Sequence, residues 1–554
     1  MKKNQQFSAE LAAQYAQNKR LDQPKIILHT CDNYENETFF CHYAGGTLHL
    51  KAESSIAAVY GLQQLEMGIK SGHQAECEGE WTPRFPLRPL WIGCGHDIEL
   101  TSRVGISLPV ALLQIEDGSL DRFCRRLLEL GYNSVIFGSH ENAFRPQSKP
   151  QFVAAGSIKP QLDLMHDYGL KVILKPHFHI SSPQCSQDPS YIAAIRQCLK
   201  DLLQELPSID FVFWEASVKH SDSHQSLLMR DATYYDLIKA EAKIVEESLQ
   251  GKASLIFYAS SYDHQTAERQ TAWLSELCDD VGDKTIIAFS AVCGLPWADH
   301  LPPHPFWKEL RRSPDCSATP LMPIVNIGCV HQGEGLWPTL TLDLVEKYYQ
   351  RCERHRFAGV IGLANQLPAK GAMLECNLWV ASQALWKPNS ATLSAETWFQ
   401  AQRPDLDFTS FADQLKEIRM LAIDLSFVRS LQAERRRDAI SGDERRALAD
   451  SVWARLRRLQ TAFDIGEKTG AKHSERPTHA EYFMYFLVDA RRILTSFIRN
   501  FHISLPHVRC EEDAQPGFWT RHSHDSAMLN FLEQPQKGQP GTRMAQIFSE
   551  NRCA

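Results

Sequence analysis

The chain has 554 residues, of which 43% are hydrophobic and 23% are charged, and its formal net charge is −7. This balance is typical of globular proteins, and the length exceeds what a single hydrophobic core usually supports, so we expect several domains. A weakly acidic surface argues against broad binding to nucleic acids or to anionic membranes.

The N-terminus, "MKKNQQFSAELAAQYAQNKR", lacks the apolar segment of a secretory signal. No window holds the roughly 18 apolar residues that predict a membrane span. The 15 cysteines form no C-x-x-C pair, which favours reduced thiols over disulfides or structural zinc. We therefore expect a cytoplasmic protein with no nucleic-acid or membrane partner, no cofactor and no bound metal.

Residues 1–82 are predicted to form a small α+β domain. "KIILHT" and "GGTLHLKA" have the composition of strands, and "SSIAAVYGLQQLEMGIKSG" has apolar residues at helical spacing. Ser54 or Ser55 is a candidate N-cap, and Gly72 is a candidate stop. The proline-rich segment "EGEWTPRFPLRP" then links this domain to the next.

Residues 83–395 alternate between short apolar runs and amphipathic, helix-like segments. The eight runs are "PLWIGCG", "NSVIFGS", "KVILKPHF", "DFVFWEA", "ASLIFYAS", "TIIAFSA", "LMPIVNIG" and "FAGVIGLA". Such alternation predicts a parallel sheet covered by helices, and eight units fit a (β/α)₈ barrel. A doubly wound open sheet is the structural alternative, but no G-x-G-x-x-G follows the first run.

Residues 396–505 are predicted to form an α-helical domain, followed by an irregular tail at 506–554. "FADQLKEIRMLAIDLSFVRSLQAERRR", "DERRALADSVWARLRRLQTAFD" and "AEYFMYFLVDARRILTSFIRNF" read as long amphipathic helices. Interspersed acids indicate that their arginines lie on solvated faces rather than on an RNA-binding surface. These helices are the segment through which a homodimer would form.

Polar and aromatic side chains are concentrated where the predicted barrel strands end, which is where such barrels build their sites. Glu215 ends the fourth run beside Trp214, and loss of solvation there would raise the pKa of its carboxyl and make it a proton donor. Aromatic rings with charged groups suit a carbohydrate, and two acids from different strands are the minimum for glycoside hydrolysis. The candidate site residues are Lys175, His177, Trp214, Glu215, Lys219, Tyr258, Trp297, Asp299, Glu334, Trp337 and Asn365.

The order of domains resembles that of the family 67 glycoside hydrolases, the α-glucuronidases, and more loosely the family 20 hexosaminidases. The local similarity is carried by "CRRLLELGYNSVIF", "LDLMHDYGLKVIL", "IFYASSYDHQTAERQTA" and "GVIGLANQLPAKGAMLECNLWVASQALWKPN". The resemblance implies an enzyme with Glu215 as general acid and Asp299 and Glu334 as base-side carboxylates. Trp214 stands where family 20 enzymes would carry an Asp, so their mechanism is disfavoured.

The first interpretation is therefore a glycoside hydrolase that acts by general acid/base catalysis. Lys175, His177 or Lys219 would pair with the carboxylate of an acidic sugar, and Trp214, Trp297 and Trp337 would line the pocket.

Two other interpretations remain open. A metal-dependent barrel hydrolase would use His177 and His179, whose spacing on a strand can chelate a metal. The further candidate ligands are His96, Asp97, His264 and His331. A catalytically degenerate barrel would bind a glycan without chemistry, because a fold does not guarantee a function.

Overall fold

The structure of the protein is a computed structural model. None of the helices in its described ranges is long and apolar enough to cross a membrane. The described residues are 3–17, 25–30, 37–44, 46–73, 77–92, 105–106, 118–137, 159–175, 189–215, 233–258, 267–281, 284–291, 304, 306–312, 319–328, 340–364, 367–368, 373–386, 391–402, 404, 408–433, 441–467, 490–491 and 493–505.

The first part of the chain folds as a four-stranded sheet with two helices. The strands lie in the order β1-β3-β2-β4; β1 and β3 are parallel, and the other neighbours are antiparallel. The elements are α1 (Lys3–Gln17), β1 (Lys25–Thr30), β2 (Phe39–Ala44), β3 (Thr47–Ala52), α2 (Ser55–Ser71) and β4 (Gly79–Trp81).

Helix α2 begins and ends where the sequence predicts. The Ser54 hydroxyl accepts a hydrogen bond from the Ala57 N–H at 3.2 Å, so Ser54 is the N-cap and Ser55 is the first helical residue. Gly72 adopts a left-handed conformation with φ = +77°, and its N–H donates to the Ile69 carbonyl.

The middle of the chain forms the barrel. A separate short antiparallel pair, β6 with β14, accompanies the barrel strands. The strands are β5 (Pro89–Ile92), β6 (Gly105–Ile106), β7 (Ser134–Phe137), β8 (Lys171–Leu174), β9 (Phe211–Glu215), β10 (Ser254–Tyr258), β11 (Ile286–Ser290), β12 (Leu321–Gly328), β13 (Ile361–Ala364) and β14 (Leu367–Pro368).

The eight predicted runs all become strands of one closed parallel barrel in the order β5-β7-β8-β9-β10-β11-β12-β13. The last strand pairs with the first, with Ala364 opposite Ile92. An open doubly wound sheet is thereby ruled out, and the predicted (β/α)₈ fold is confirmed.

Helices follow the strands and continue to the C-terminal part of the chain. Residues 493–500 are also helical. The helices after α2 are α3 (Ser119–Glu129), α4 (Lys159–Asp167), α5 (Pro189–Glu205), α6 (Thr233–Leu249), α7 (Ala267–Asp280), α8 (Phe306–Arg312), α9 (Leu342–Arg354), α10 (Met373–Trp386), α11 (Ala391–Gln402), α12 (Phe408–Ala433) and α13 (Gly442–Glu467).

The small sheet, the barrel and the last helices share one hydrophobic core. Tyr60 of α2 stacks on Trp386 of α10 with ring centroids 4.3 Å apart, and its hydroxyl accepts from Gln383 Nε2 at 3.0 Å. Farther along, Arg455 of α13 donates to Glu417 of α12 at 2.8 Å. Arg455 is thus paired with an acid of the neighbouring helix.

The alternation of side chains along each barrel strand decides which residues reach the site. One core cluster fills the barrel interior, with Ile173, Phe213, Ile256, Ala288 and Ile324 among its members. Because side chains two apart lie on the same face of a strand, the inward face continues toward the strand C-termini. The next inward residues there are Lys175, Glu215, Ser290 and Asn326.

Candidate functional site

A buried ion pair lies at the C-terminal mouth of the barrel. Lys175 directly follows β8, and its ammonium donates to the carboxylate of Glu215, the last residue of the neighbouring strand β9. Only 6% of the Lys175 side chain and 16% of the Glu215 side chain are exposed. The carboxylate is therefore the more accessible partner.

Aromatic rings lie beneath the ammonium. Lys175 Nζ is 4.8 Å from the centroid of the Trp91 ring and 6.0 Å from that of Phe213. These two rings are 5.1 Å apart, and Tyr258 lies 5.8 Å from Phe213. A cation over an aromatic face is stabilised by the ring quadrupole, so this cluster helps to hold the charge of Lys175.

Sequence reasoning missed Trp91 as part of the site. The signal was present, because Trp91 has the inward parity within "PLWIGCG" and the run opens the first barrel strand. Its indole is 1% exposed. Trp91 therefore supports Lys175 from below.

Tyr258 lies at the level of Glu215, since the two residues are directly paired across β9 and β10. Burial, and secondarily the negative charge of Glu215, raise the pKa of the Tyr258 phenol well above its usual value. The phenol therefore keeps its proton, and Tyr258 is a hydrogen-bond donor at any physiological pH.

Trp214 lies on the opposite face of β9 from Glu215. Its side chain belongs to the core between the barrel and the surrounding helices, and its Nε1 donates to Glu241 Oε1 of α6 at 2.7 Å. A ring held there does not face the barrel mouth. The pocket-lining role expected for Trp214 is corrected accordingly: neighbours in sequence point to opposite faces of a strand.

Two further inward residues were not among the predicted site residues. Asn326, 3% exposed, accepts a hydrogen bond from the Gly328 N–H at 3.1 Å beside a register shift in β12. Ser290 ends β11 and is 2% exposed. The sequence signal for both residues was the alternation of inward and outward side chains that also identifies Trp91.

The remaining predicted site residues lie outside the described residues. They are His177, Lys219, Trp297, Asp299, Glu334, Trp337 and Asn365. The expectation that Glu215 faces a second carboxylate therefore stays a prediction. The metal ligands of the alternative interpretation also lie outside the described ranges, and within those ranges no group of three His, Cys, Asp or Glu side chains is arranged for a metal.

The electrostatics of the pair constrain what Glu215 can do. The partial burial expected from the sequence disfavours the ionised carboxyl, whereas the Lys175 ammonium favours it. The protonation state of Glu215 therefore depends on the balance between these two effects. A change in the charge that Lys175 presents would alter this balance.

Three solved structures are similar to this chain. A GH138 enzyme targeting pectin rhamnogalacturonan II superposes with a TM-score of 0.55 at 11% identity, over 91% of this chain and 68% of that one. The GH20 exo-β-N-acetylglucosaminidase of Vibrio harveyi gives 0.43 at 12% identity, over 75% and 73% of the chains. The N-acetyl-β-hexosaminidase of Streptomyces plicatus gives 0.43 at 10% identity, over 72% and 88%. No protein-family model and no curated protein sequence matches the chain.

Proposed function

We propose that the protein is a glycoside hydrolase for a sugar that carries a carboxylate, with Glu215 as the general acid. One observation carries the proposal: the buried pair of Lys175 and Glu215 at the C-terminal mouth of the barrel. This end of the fold is where barrel enzymes keep their catalytic groups.

The pair is poorly explained as a stabilising contact. Removing two charges from water costs several kcal/mol per ion, and a buried pair often does no better than apolar residues of similar size. Desolvated charged groups in a cleft are instead typical of functional sites. The Lys175 and Glu215 side chains, at 6% and 16% exposure, are such groups.

An acidic sugar would switch Glu215 to the form that an acid catalyst needs. A substrate carboxylate paired with Lys175 compensates the ammonium and brings a second negative charge near Glu215. Both effects favour the protonated carboxyl. Bound substrate thus shifts Glu215 toward the protonated form that can donate a proton.

The reaction then follows the two-carboxylate scheme. Glu215 gives its proton to the glycosidic oxygen as the bond between that oxygen and the anomeric carbon breaks. Water attacks the anomeric carbon and loses a proton to a base-side carboxylate, for which Asp299 and Glu334 are the candidates. The products are two sugars or a sugar and an alcohol.

Two comparisons support a glycan as the substrate class. The GH138 structure that shares the fold is described as targeting a pectin polysaccharide. The sequence resemblance to the α-glucuronidases implies an acidic sugar. Neither assigns the linkage.

The experiment uses matched pairs of 4-nitrophenyl glycosides that differ only in a carboxylate, such as a glucuronide and a glucoside. Wild type is expected to prefer the acidic member of a pair. Lys175→Met should abolish that preference, because the cation that compensates the substrate is gone. A preference unchanged by the substitution argues against acidic-sugar recognition by Lys175.

Two outcomes would favour the alternative interpretations. Activity lost on treatment with a chelator and restored by a divalent metal would favour the metal-dependent hydrolase. Binding of acidic sugars without cleavage of any glycoside would favour the degenerate barrel.

A further inference from the structure

Ser290 places a hydroxyl inside the barrel mouth. It is the last residue of β11, two positions beyond Ala288, which belongs to the interior cluster. By the alternation of the strand, its side chain faces the interior at the C-terminal end. Only 2% of the residue is exposed.

The Ser290 hydroxyl has no hydrogen-bond partner among the residues that the structure describes. Ser134, a buried inward serine at the opposite end of the barrel, differs: its hydroxyl donates to Asn133 Oδ1 at 3.2 Å. Buried hydroxyls in native proteins are nearly always satisfied, so an unpartnered hydroxyl calls for a partner, which at a candidate site a bound molecule can supply. Ser290 is such an exception within a candidate site.

Hydrogen bonds hold the backbone in place directly after Ser290. The Ala291 N–H donates to the Ile324 carbonyl at 3.0 Å, and the Ala291 carbonyl accepts from the His304 N–H at 3.1 Å and from Trp307 Nε1 at 3.0 Å. Because the strand end is fixed on both sides, the direction in which the Ser290 side chain leaves the backbone is fixed. Such preorganisation is what a specificity contact requires.

Ser290 also lies within reach of a molecule bound at the ion pair. Tyr258 is paired with Glu215 on one side and with Ala288 on the other. Ser290 therefore lies two strands from Glu215, roughly 10 Å across the sheet, and two residues beyond Ala288 toward the strand end. A sugar ring with its hydroxyls bridges such a gap.

We propose that Ser290 determines specificity by hydrogen bonding to a hydroxyl of the sugar bound at Lys175 and Glu215. The inference rests on the proposed function and adds a residue to its site. A serine hydroxyl donates one hydrogen bond and accepts others, as a sugar hydroxyl does, so the two are complementary.

The test compares Ser290→Ala with the matched control Ser134→Ala. The substrates are the 4-nitrophenyl glycoside that wild type cleaves fastest and its monodeoxy analogues. Ser290→Ala should lower kcat/KM on the parent glycoside by roughly 2–12-fold, the worth of one neutral hydrogen bond. It should have no effect on the one analogue that lacks the partner hydroxyl. Ser290→Thr, which keeps a hydroxyl, should keep the discrimination.

Thermal unfolding of the unliganded variants supplies a second readout. Ser290→Ala should unfold at the wild-type temperature or above, because it removes an unsatisfied buried group. Ser134→Ala should unfold at a lower temperature with kcat/KM unchanged. A lower unfolding temperature for Ser290→Ala, with equal losses on every analogue, would make its hydroxyl structural and overturn the inference.

The outcomes separate this inference from the proposed function. If Glu215→Gln shows the loss on an unactivated glycoside that a general acid predicts, and Ser290→Ala is not impaired on any substrate, the hydrolase stands and the role of Ser290 is refuted. If wild type cleaves no glycoside, saturation-transfer NMR measures whether wild type and Ser290→Ala bind glucuronic acid, galacturonic acid or glucose. Binding that Ser290→Ala weakens supports the Ser290 contact without catalysis, whereas no binding of any of the three refutes both.

Discussion

Lys175 and Glu215 are oppositely charged side chains at the end of an aromatic and aliphatic cluster that fills the barrel interior. The interior cluster ends where these two residues begin, so the change from apolar to charged marks the boundary between core and site. The rings of Trp91 and Phe213 lie at this boundary, in contact with the cation. The position of Lys175 and Glu215 thus follows from the inward face on which each side chain lies and from its place at the strand end.

At the same scale, Trp214 is expected to matter for stability rather than for substrate binding. Trp214→Phe removes the N–H that donates to the buried Glu241, and we expect a loss of about 1–3 kcal/mol in the free energy of unfolding. Denaturant titration measures it. Glu241→Gln, which keeps an acceptor oxygen, should lose less. A higher KM for Trp214→Phe without lower stability would return Trp214 to the binding site.

At the scale of elements, Gly131 fixes the turn between α3 and β7. It has φ = +75°, and a Cβ there would lie 2.6 Å from the Tyr60 ring and 2.7 Å from Trp386 Nε1. Its carbonyl also accepts from Arg88 Nε at 2.9 Å. The turn therefore packs directly against helices α2 and α10.

A matched pair of variants separates backbone conformation from packing. Gly251 has φ = +70° with open space around it, so Gly251→Ala should cost about 1–2 kcal/mol for the left-handed conformation alone. Gly131→Ala should cost about 1–3 kcal/mol more, because the added methyl group overpacks the junction. Denaturant titration of both variants measures the difference. Equal losses would contradict the close packing at Gly131.

The contact of α1 with the barrel helices is expected to depend on pH. Arg125 of α3 donates to Glu10 of α1 at 2.6 Å and to Asp121 at 2.7 Å, and Tyr168 donates to Asp121 at 2.5 Å. The hydrogen bond from Arg125, followed by that from Gln6, lowers the pKa of Glu10. Burial alone would raise the pKa of Asp121, but hydrogen bonds from Tyr168 and Arg125 outweigh it and lower the pKa.

A carboxyl with a lowered pKa in the folded state contributes stability above its unfolded value, and this stability is lost as pH falls through the folded pKa. The ordinary values are 4.5 for Glu10 and 3.8 for Asp121. Amide hydrogen exchange of residues 3–17, corrected for intrinsic rates, should therefore accelerate below those values. Glu10→Gln should accelerate it already at neutral pH, whereas Glu66→Gln on α2 should not. An unchanged rate in Glu10→Gln would exclude this network as the anchor of α1.

At the scale of the molecule, hydrophobic periodicity was enough to predict the barrel. Each of the eight apolar runs contributes one strand, since a strand buried on both faces needs a continuous run of apolar residues. The contacts within the candidate site were harder to predict from the sequence. Trp214 and Glu215 are adjacent in sequence yet face opposite sides of β9, and Trp91 and Lys175 meet although they are far apart in the chain. The first difference follows from alternation along one strand, whereas the second contact depends on closure of the barrel, which no local pattern encodes.

The role of Glu215 is tested most directly by measuring how the loss of activity in Glu215→Gln depends on the leaving group of the substrate. The substitution keeps the shape of the side chain and removes the transferable proton. Hydrolysis of an unactivated acidic glycoside should fall by about 10²–10⁴-fold, the usual worth of general acid catalysis. The matching 4-nitrophenyl glycoside needs less protonation and should lose much less. Equal losses on both substrates, or no loss on either, would contradict the assignment of Glu215 as the acid.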